Sequence, residues 1–385
     1  MSQVLWLVCG LACILSLNVG YQIHAALGRL RWRGDLPSRS EAALDELVSV
    51  IVPARNEVED LSFSVRSILD QTGIRLEVIL INDHSTDQTG KIADELACLD
   101  PRLKVIHNPE LPDGWLGKSN AMQRGVEATS GRYLLFTDAD VIHQPECFAT
   151  ALGELERDRL DFLSLFPRMR FVSFWENVIL PIVVSGVAEF ASSRIEDPTK
   201  PDALGVGAFI LVRAETLEAV GGLAAIRGEM LDDVSLARLV KSRGGRVAVR
   251  AAPGLLDVRL FKGNRHAFWG TTKNILEGFR GRVWATPLIL LLPFLVFWTP
   301  LIALGYALAK GEWPLAYLAL CTYLVEYGCL WLGRELFGFD RIRALAFPLS
   351  AVVVACCAIR AGYLYQIHGA VHWRGRTTRV RRPRF

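Results

Sequence analysis

Between Leu47 and Val141 the chain repeats one pattern four times: an apolar run stops abruptly in polar residues, and helix-like segments separate the runs. LVSVIVPA, Leu47 to Ala54, is followed by Arg55, Asn56 and Glu57. LEVILIND, Leu76 to Asp83, stops at its own carboxylate. RLKVIHN, Arg102 to Asn108, comes third, and YLLFTDAD, from Tyr133, stops in Asp138 and Asp140. Short runs rich in Val, Ile, Leu, Tyr and Phe, without polar alternation, read as strands buried on both faces. Glu57 to Leu69, Thr86 to Leu99 and Asn120 to Ala128 read as the helices between them. Such alternation predicts an α/β fold with a mostly parallel, Rossmann-like sheet. Ligands in these sheets bind beyond the C-terminal strand ends. Arg55, Asn56, Glu57, Asp83, Asp138 and Asp140 are therefore expected along one rim.

Several of these groups suit a phosphate-bearing ligand. Side chains at i and i+2 of an extended segment leave on one face, so Asp138 and Asp140 can reach a single divalent cation. Mg2+ or Mn2+ favours such oxygen ligands and often bridges to phosphates. A helix cap would use the same residues. Asp83 can accept bonds from a base or ribose, Ser85, Thr86 and Asp87 suit a helix cap, and His84 reads as an exposed imidazole. The Gly-bounded loop LPDGWLGKSNAMQRG, Leu111 to Gly125, has the composition of a lid. Its Lys118 offers a point charge to a diphosphate. Further on, Asp232 and Asp233 precede the apolar stripe Val234, Leu236, Leu239 and Val240, which places them at a helix N-terminus. There they complement the helix dipole, or act as a base whose proton affinity its neighbour raises. The small residues of Gly205 to Phe209 allow a sugar or lipid headgroup to approach closely.

With 385 residues, 51% of them hydrophobic, the chain has room for a domain and membrane segments. Val4 to Leu27 is nearly free of charge and is followed by Arg29, Arg31 and Arg33. Its positive residues follow the apolar core and no small-residue cleavage site appears, so it reads as an uncleaved anchor with a cytoplasmic flank. Trp284 to Ala309, Trp313 to Leu332 and Ala344 to Ile367 are further spans, and Arg334, Arg341 and Arg343 put the second connection on the cytoplasmic side. Three spans would leave the basic tail HWRGRTTRVRRPRF outside, against that tendency; Pro287, Pro293 and Pro300 allow the first segment to be re-entrant or interfacial instead. Glu326 and Arg360, both in apolar segments, are expected to pair. Phe171 to Phe190 carries Glu176, Asn177 and Glu189 and reads as an interfacial or a core helix. The expected organisation is an anchor at residues 1–30, a catalytic domain at 45–282 with 171–190 interfacial, membrane helices at 284–367 and a basic tail at 368–385. A net charge of +3, supplied by Arg-rich flanks, suits membrane phospholipid and not nucleic acid. Of the eight cysteines, six lie in apolar segments and only Cys98 and Cys147 outside them, which fits a reducing compartment and no disulfide framework.

PARNE at Pro53 to Glu57, NDHSTDQT at Asn82 to Thr89, the Lys118 loop, the Asp138–Asp140 pair and the Asp232–Asp233 pair, in this order, resemble the nucleotide-sugar domain of family-2 glycosyltransferases with the GT-A fold. The resemblance covers roughly Val48 to Gly281. It implies that Pro53, Ala54, Glu57 and Asp83 border the nucleotide of a nucleotide-sugar donor. Lys118 then faces the diphosphate or base, and Asp138 with Asp140 binds the ribose and a metal. The family's acidic pair followed by xxLxxRL is matched at Asp232, Asp233 and Leu236, with Arg238 and Leu239 each one position early; the resemblance makes Asp233 the general base and Asp232 the occupant of a position that is usually Glu. The Q/RxxRW motif of polysaccharide synthases is absent; Arg265, His266 and Trp269 stand in the corresponding stretch. That departure, with the GWLGKSNAMQRG loop and the WRGR tail, is most similar to bacterial hopanoid-associated and carotenoid-acid glycosyltransferases. These imply transfer of one sugar to a lipid acceptor at the bacterial membrane, with a cytoplasmic active site. Arg265, Arg280 and Arg282 keep open a polyprenyl-phosphate sugar synthase. A polysaccharide synthase or an inactive scaffold are the remaining alternatives.

Overall fold

A computed structural model describes residues 1–30, 46–108, 110–179, 195–278, 286–334, 338–364, 370–373 and 376–379. The expected basic groups Arg31, Arg33, Arg280 and Arg282, residues 180–190 of the apolar stretch and the tail end at 380–385 lie outside these residues. The four apolar runs are strands: β1 (Leu47–Ala54), β2 (Arg75–Asn82), β3 (Leu103–His107) and β4 (Tyr133–Phe136). They are followed by β5 (Val141–His143), β6 (Phe162–Phe166), β7 (Arg168–Met169), β8 (Ile210–Arg213), β9 (Val247–Ala251) and β10 (Leu256–Val258), with a terminal hairpin of β11 (Ala370–Trp373) and β12 (Arg376–Arg379). The main sheet runs β3-β2-β1-β4-β8-β6-β9. Its pairs are parallel except where β8 lies antiparallel between β4 and β6. A small second sheet, β5-β10-β7, flanks it.

Strand order decides where a ligand can sit. The chain moves outward through β1, β2 and β3, then returns to place β4 on the other side of β1. Connections therefore diverge at the β1/β4 boundary, opening a crevice beyond those two strand ends. PARNE and the Asp138–Asp140 pair meet there because β1 and β4 are in register, Val48 opposite Tyr133 and Ile51 opposite Phe136.

Helices α1 (Ser2–Leu30), α2 (Leu61–Leu69), α3 (Thr89–Leu99), α4 (Gly117–Glu127), α5 (Cys147–Arg157) and α6 (Asp232–Ser242) precede α7 (Asn264–Gly278), α8 (Thr286–Lys310), α9 (Trp313–Leu332) and α10 (Pro348–Tyr363). The first helix after β1 starts at Leu61, not Glu57, because the intervening residues serve the rim. Helix α4 lies unusually close to the sheet: a Cβ on Gly125 would stand 2.5 Å from Ile51 Cγ2 and 2.8 Å from Ile81 Cδ1. Ile51 and Ile81 are fully buried beneath it, and each such side chain contributes about 1.5–3 kcal/mol by leaving water. This close seat sets the height at which the first turn of α4 meets the β4 end.

Two helices, spanning Leu290–Lys310 and Trp313–Leu332, are long and apolar enough to cross a membrane, and Ser2–Asn18 and Pro348–Tyr363 are shorter apolar helices. The prolines do not break α8, which runs through Pro293 and Pro300. Apolar surroundings give the backbone no partner outside the helix, so neighbouring turns keep it intact. Helix α10 begins at Pro348 rather than Ala344, consistent with proline's fit to the first helical turn. Helix α1 packs on α8 and α9, and α10 packs on α7 and α8. Glu326 and Arg360 do not pair. Glu326 accepts from Ser16 at 3.4 Å, whereas Arg360 lies 3.6 Å from the centroid of Trp269. They sit on helices facing different neighbours, α1 for one and α7 for the other.

Residues 174–179 form a helical turn with Glu176, Asn177, Val178 and Ile179 buried and Phe174 exposed. Glu176 is a junction: its carboxylate accepts from the backbone N–H groups of Val172 (2.8 Å) and Gly263 (2.6 Å), from Ser173 Oγ (2.8 Å) and from Arg259 (3.1 Å). Burial works to raise its pKa, but these donors outweigh that and hold it below the ordinary glutamate range. The eight cysteines are all free thiols.

Candidate active site

Beyond the β1 and β4 ends lies a narrow cleft whose walls include Pro53, Lys118, Thr137, Asp138, Gly207 and Asp232. Lys118 is at its centre. The Leu111–Gly125 segment is a loop only in its first half. From Gly117 it is helix, so Lys118 stands in the opening turn of α4 and not on a lid. Its ammonium lies 2.7 Å from Asp138 Oδ1 and 3.6 Å from Asp232 Oδ2. Desolvation works to deprotonate this lysine, but Asp138, Asp232 and Asp233 outweigh it and hold the pKa above its ordinary value. The cleft therefore keeps a fixed cation at the positive end of a helix, an arrangement suited to phosphate. Lys118 and Asp138 remain 39% and 37% exposed, so a ligand reaches both from solvent.

Asp233 enters from the other side. Its Oδ2 accepts from the Gly207 backbone N–H at 3.0 Å and its Oδ1 from that of Val234 at 2.8 Å. The turn at Gly205 to Phe209, expected to admit a sugar, instead grips the carboxylate. A Cβ on Gly207 would lie 3.0 Å from Lys118 Nζ, 3.2 Å from Asp138 Oδ2 and 3.7 Å from Asp233 Oδ2, so a single methyl would touch all three groups. Burial first, then the charge of Asp232, raises the Asp233 pKa to about 6, against the opposing pull of Lys118. Lys118, Asp138 and the Asp232–Asp233 pair, far apart in the chain, thus share one cleft.

The remaining expected residues lie next door. Ala54, buried, accepts from the Asp83 N–H at 2.8 Å, and Arg55 Nη1 donates to the Asp83 carbonyl at 2.8 Å. Glu57 is buried with its N–H donated to Thr89 Oγ1 at 2.8 Å. His84 is not a free imidazole: its Nδ1 lies 2.9 Å from Asp83 Oδ1. Asp87 accepts from the Thr89 N–H at 2.9 Å and so steadies the start of α3. Ala54, Glu57 and Asp83 thus form a second cluster at the β1 and β2 ends, outside the cleft wall. Asn56 and His84 both hold left-handed backbones, with φ of 54° and 56°. Side chains seldom adopt that region without compensation. Here Thr86 N–H donates to Asn56 Oδ1 at 2.8 Å and Asn56 N–H to Ser85 Oγ at 3.1 Å.

Sequence reasoning missed one group. Thr137 Oγ1 donates to the Ala208 carbonyl at 2.8 Å and lies 3.1 Å from Nε2 of the buried His143. It joins the residue before Asp138 to the residue after Gly207, tying the two halves of the cleft together. Burial lowers the His143 pKa to about 3, so the imidazole is neutral.

Asp140 is half-buried two residues beyond Asp138. Among the described residues no group of three or more His, Cys, Asp and Glu converges as a metal cage. Mg2+ and Mn2+ do not require one, since one or two carboxylates with substrate phosphates complete such sites. A pair of carboxylates at a solvent-open strand end fits that donor set.

Residues 49–217 match the family model described as Glycosyl transferase family 2. The chain carries a family-2 glycosyltransferase domain. The uncharacterized glycosyltransferase EpsJ of Bacillus subtilis is 36% identical over 118 residues, 31% of this chain and 33% of that protein. Such relatives are thus matched over about a third of their length. A longer match is the 4,4'-diaponeurosporenoate glycosyltransferase of Staphylococcus aureus, 23% identical over 339 residues, 86% of this chain and 87% of that enzyme. Among solved structures, the mannosyltransferase PcManGT of Pyrobaculum calidifontis, in complex with GDP-Man and Mn2+, superposes with a TM-score of 0.56 at 20% identity. It covers 91% of this chain and 99% of its own. The shared architecture is the GT-A fold.

Proposed function

We propose that this chain is a membrane-anchored glycosyltransferase that moves a single sugar from a nucleotide-sugar donor to a lipid acceptor in one inverting displacement. The observation that carries this reading is the Gly207 N–H clasp, which holds Asp233 in the cleft of Lys118 and Asp138. A nucleoside diphosphate leaves with charge already developed, so its departure calls for cations more than for a proton. Lys118, at the first turn of α4, supplies one. Asp138 and Asp140 would hold a divalent cation, Mg2+ or Mn2+, which when bound would neutralise diphosphate charge. Glu57 and Asp83, at the adjoining strand ends, border the nucleotide. On the opposite wall Asp233 takes the proton of the acceptor hydroxyl as its oxygen attacks the anomeric carbon, and Asp232 raises its affinity for that proton. The long relative is named for a carotenoid acid, and two helices here can cross a membrane. Both support a lipid acceptor at a membrane.

Membranes containing the protein, incubated with labelled UDP- and GDP-sugars, should move label into an organic-extractable lipid carrying one sugar. Label confined to polymer, or to no fraction, overturns the reading. Asp140→Ala should weaken nucleoside diphosphate binding in Mg2+ or Mn2+ and lose its sensitivity to chelator; unchanged wild-type binding with chelator removes the metal assignment.

A pH dependence follows from the cleft electrostatics. Asp233 works deprotonated, so kcat/KM should fall tenfold per pH unit below about 6. Lys118→Gln removes a charge that favours the carboxylate, so in addition to lowering the rate it should move this acid limb to higher pH. A limb that stays in place would separate Lys118 from the base.

A further inference from the structure

A second cavity, of about 360 Å³, opens where the glycosyltransferase domain meets the apolar helices. That lies within the range of about 300–1,000 Å³ typical of small-ligand pockets. Trp175, Ile179 and Phe268 form its domain side and Val353 and Cys356 of α10 its helical side, with Asn264 and Arg265 completing the lining. Its walls are thus mostly apolar, with the charged group supplied by the first turn of α7.

Arg265 distinguishes the cavity from an ordinary packing gap. It is exposed, and it makes no ion pair among the described residues, whereas nearby cations are engaged. Arg259 pairs with Glu176, Lys262 with Glu59 and Asp60, Arg343 donates to the Val172 carbonyl, and Arg360 covers Trp269. A guanidinium over an apolar pocket suits a ligand with a carboxylate or phosphate at one end and a hydrocarbon chain at the other. Its position also connects to the rim. Lys262 ties the start of α7 to Asp60, three residues beyond Glu57, and Asn264 Oδ1 accepts from the Trp175 N–H at 3.2 Å.

We infer that this cavity binds the hydrocarbon chain of an acidic amphiphile, a lipid acceptor that carries its attacking hydroxyl apart from its acid group, with Arg265 holding the carboxylate or phosphate. The identification of the occupant as acceptor rests on the function proposed above; the binding of an acidic amphiphile does not.

Cys356 lines the cavity and is exposed, which provides a readout independent of transfer. The full-length protein in phosphatidylcholine vesicles is treated with a maleimide, and modification of Cys356 is timed by mass spectrometry, with exposed Cys98 and Cys321 as internal references. Oleate and farnesyl phosphate, representing the two acidic headgroups, should slow modification of Cys356 at least about tenfold when saturating, as expected when occupancy exceeds nine-tenths. Modification of Cys98 and Cys321 should not change. Oleyl alcohol and inorganic phosphate should not protect, and Arg265→Gln should abolish protection by both acids. Protection by oleyl alcohol equal to that by oleate, or no protection by either acid, overturns the proposal. So does equal protection from phosphatidylglycerol in the vesicles without added amphiphile, which would mark an ordinary bilayer-lipid contact. A second variant, Cys356→Trp, fills the cavity: it should raise the KM for lipid acceptor at least tenfold and leave nucleotide binding unchanged. Unchanged KM with intact Cys356 protection in the unmodified chain refutes the acceptor assignment alone, and a transfer product lacking lipid refutes the proposed function while leaving the amphiphile site standing.

Discussion

Asp233→Asn should cut sugar transfer by about 10²–10⁴-fold, the usual contribution of a positioned general base, while nucleotide binding stays close to that of the unmodified protein. The substitution keeps the shape of the side chain and removes its ability to take a proton. One cost is structural. Both carboxylate oxygens accept backbone N–H groups, Gly207 at 3.0 Å and Val234 at 2.8 Å. An amide has a single oxygen, so one of those donors loses its partner, at about 1–3 kcal/mol if it stays buried. A melting measurement separates that loss from lost catalysis. Asp232→Asn is the informative companion, since Asp232 faces Lys118 at 3.6 Å and has no proton to take in this mechanism. It should lower the apparent pKa of Asp233, because a like charge that raises it is gone, and the acid limb of kcat/KM should move down. Transfer at the unmodified rate in Asp233→Asn would remove Asp233 from the base role.

The sheet was legible because its strands are bounded by chemistry as well as hydropathy. LVSVIVPA was expected as a strand from Leu47 to Ala54 and is one, and the second and third strands differ from expectation by one residue at each end. The order of strands was less accessible, because β8, antiparallel between β4 and β6, is only the short run Ile210–Arg213 and lies outside the repeated pattern. The start of the first helix after β1 erred for a physical reason. Residues 57–60 have helical composition, but Glu57 and Asp60 are committed to the rim, with Glu57 bonded to Thr89 and Asp60 to Lys262. Tertiary partners there outweigh local propensity. In the site, the carboxylates and Lys118 could be found from their positions beside strand and helix ends. Their convergence could not, because Lys118, Asp138 and Asp232 are separated by connections whose path depends on strand order. Thr137 and His143 gave no signal at all: a buried Thr–His contact looks in sequence like two ordinary core-flanking residues.

Gly205→Ala should be as damaging as loss of the base, although residue 205 bears no functional group. A Cβ there would stand 2.3 Å from the carbonyl oxygen of Asp233 and 2.7 Å from its carbonyl carbon. Both atoms are backbone, so no side-chain rotation relieves the clash. Either the Gly205 to Phe209 turn retreats or the first turn of α6 does. A retreat of the turn withdraws the Gly207 N–H from Asp233; a retreat of the helix carries Asp233 and Asp232 away from Lys118. A displacement of about 1 Å at a reacting group costs on the order of 10²-fold in rate. Overpacking adds about 1–3 kcal/mol of destabilisation. The Thr137 bond to the Ala208 carbonyl at 2.8 Å resists the first movement and should direct the strain toward α6. Gly205→Ala is accordingly expected to lose transfer while retaining nucleoside diphosphate binding, since Asp138 and the α4 turn are not displaced. Thr137→Val in the same background frees the turn to move and should recover part of the lost stability. Full activity in Gly205→Ala would show that Asp233 need not be held where this turn places it, and the base assignment would fail with it.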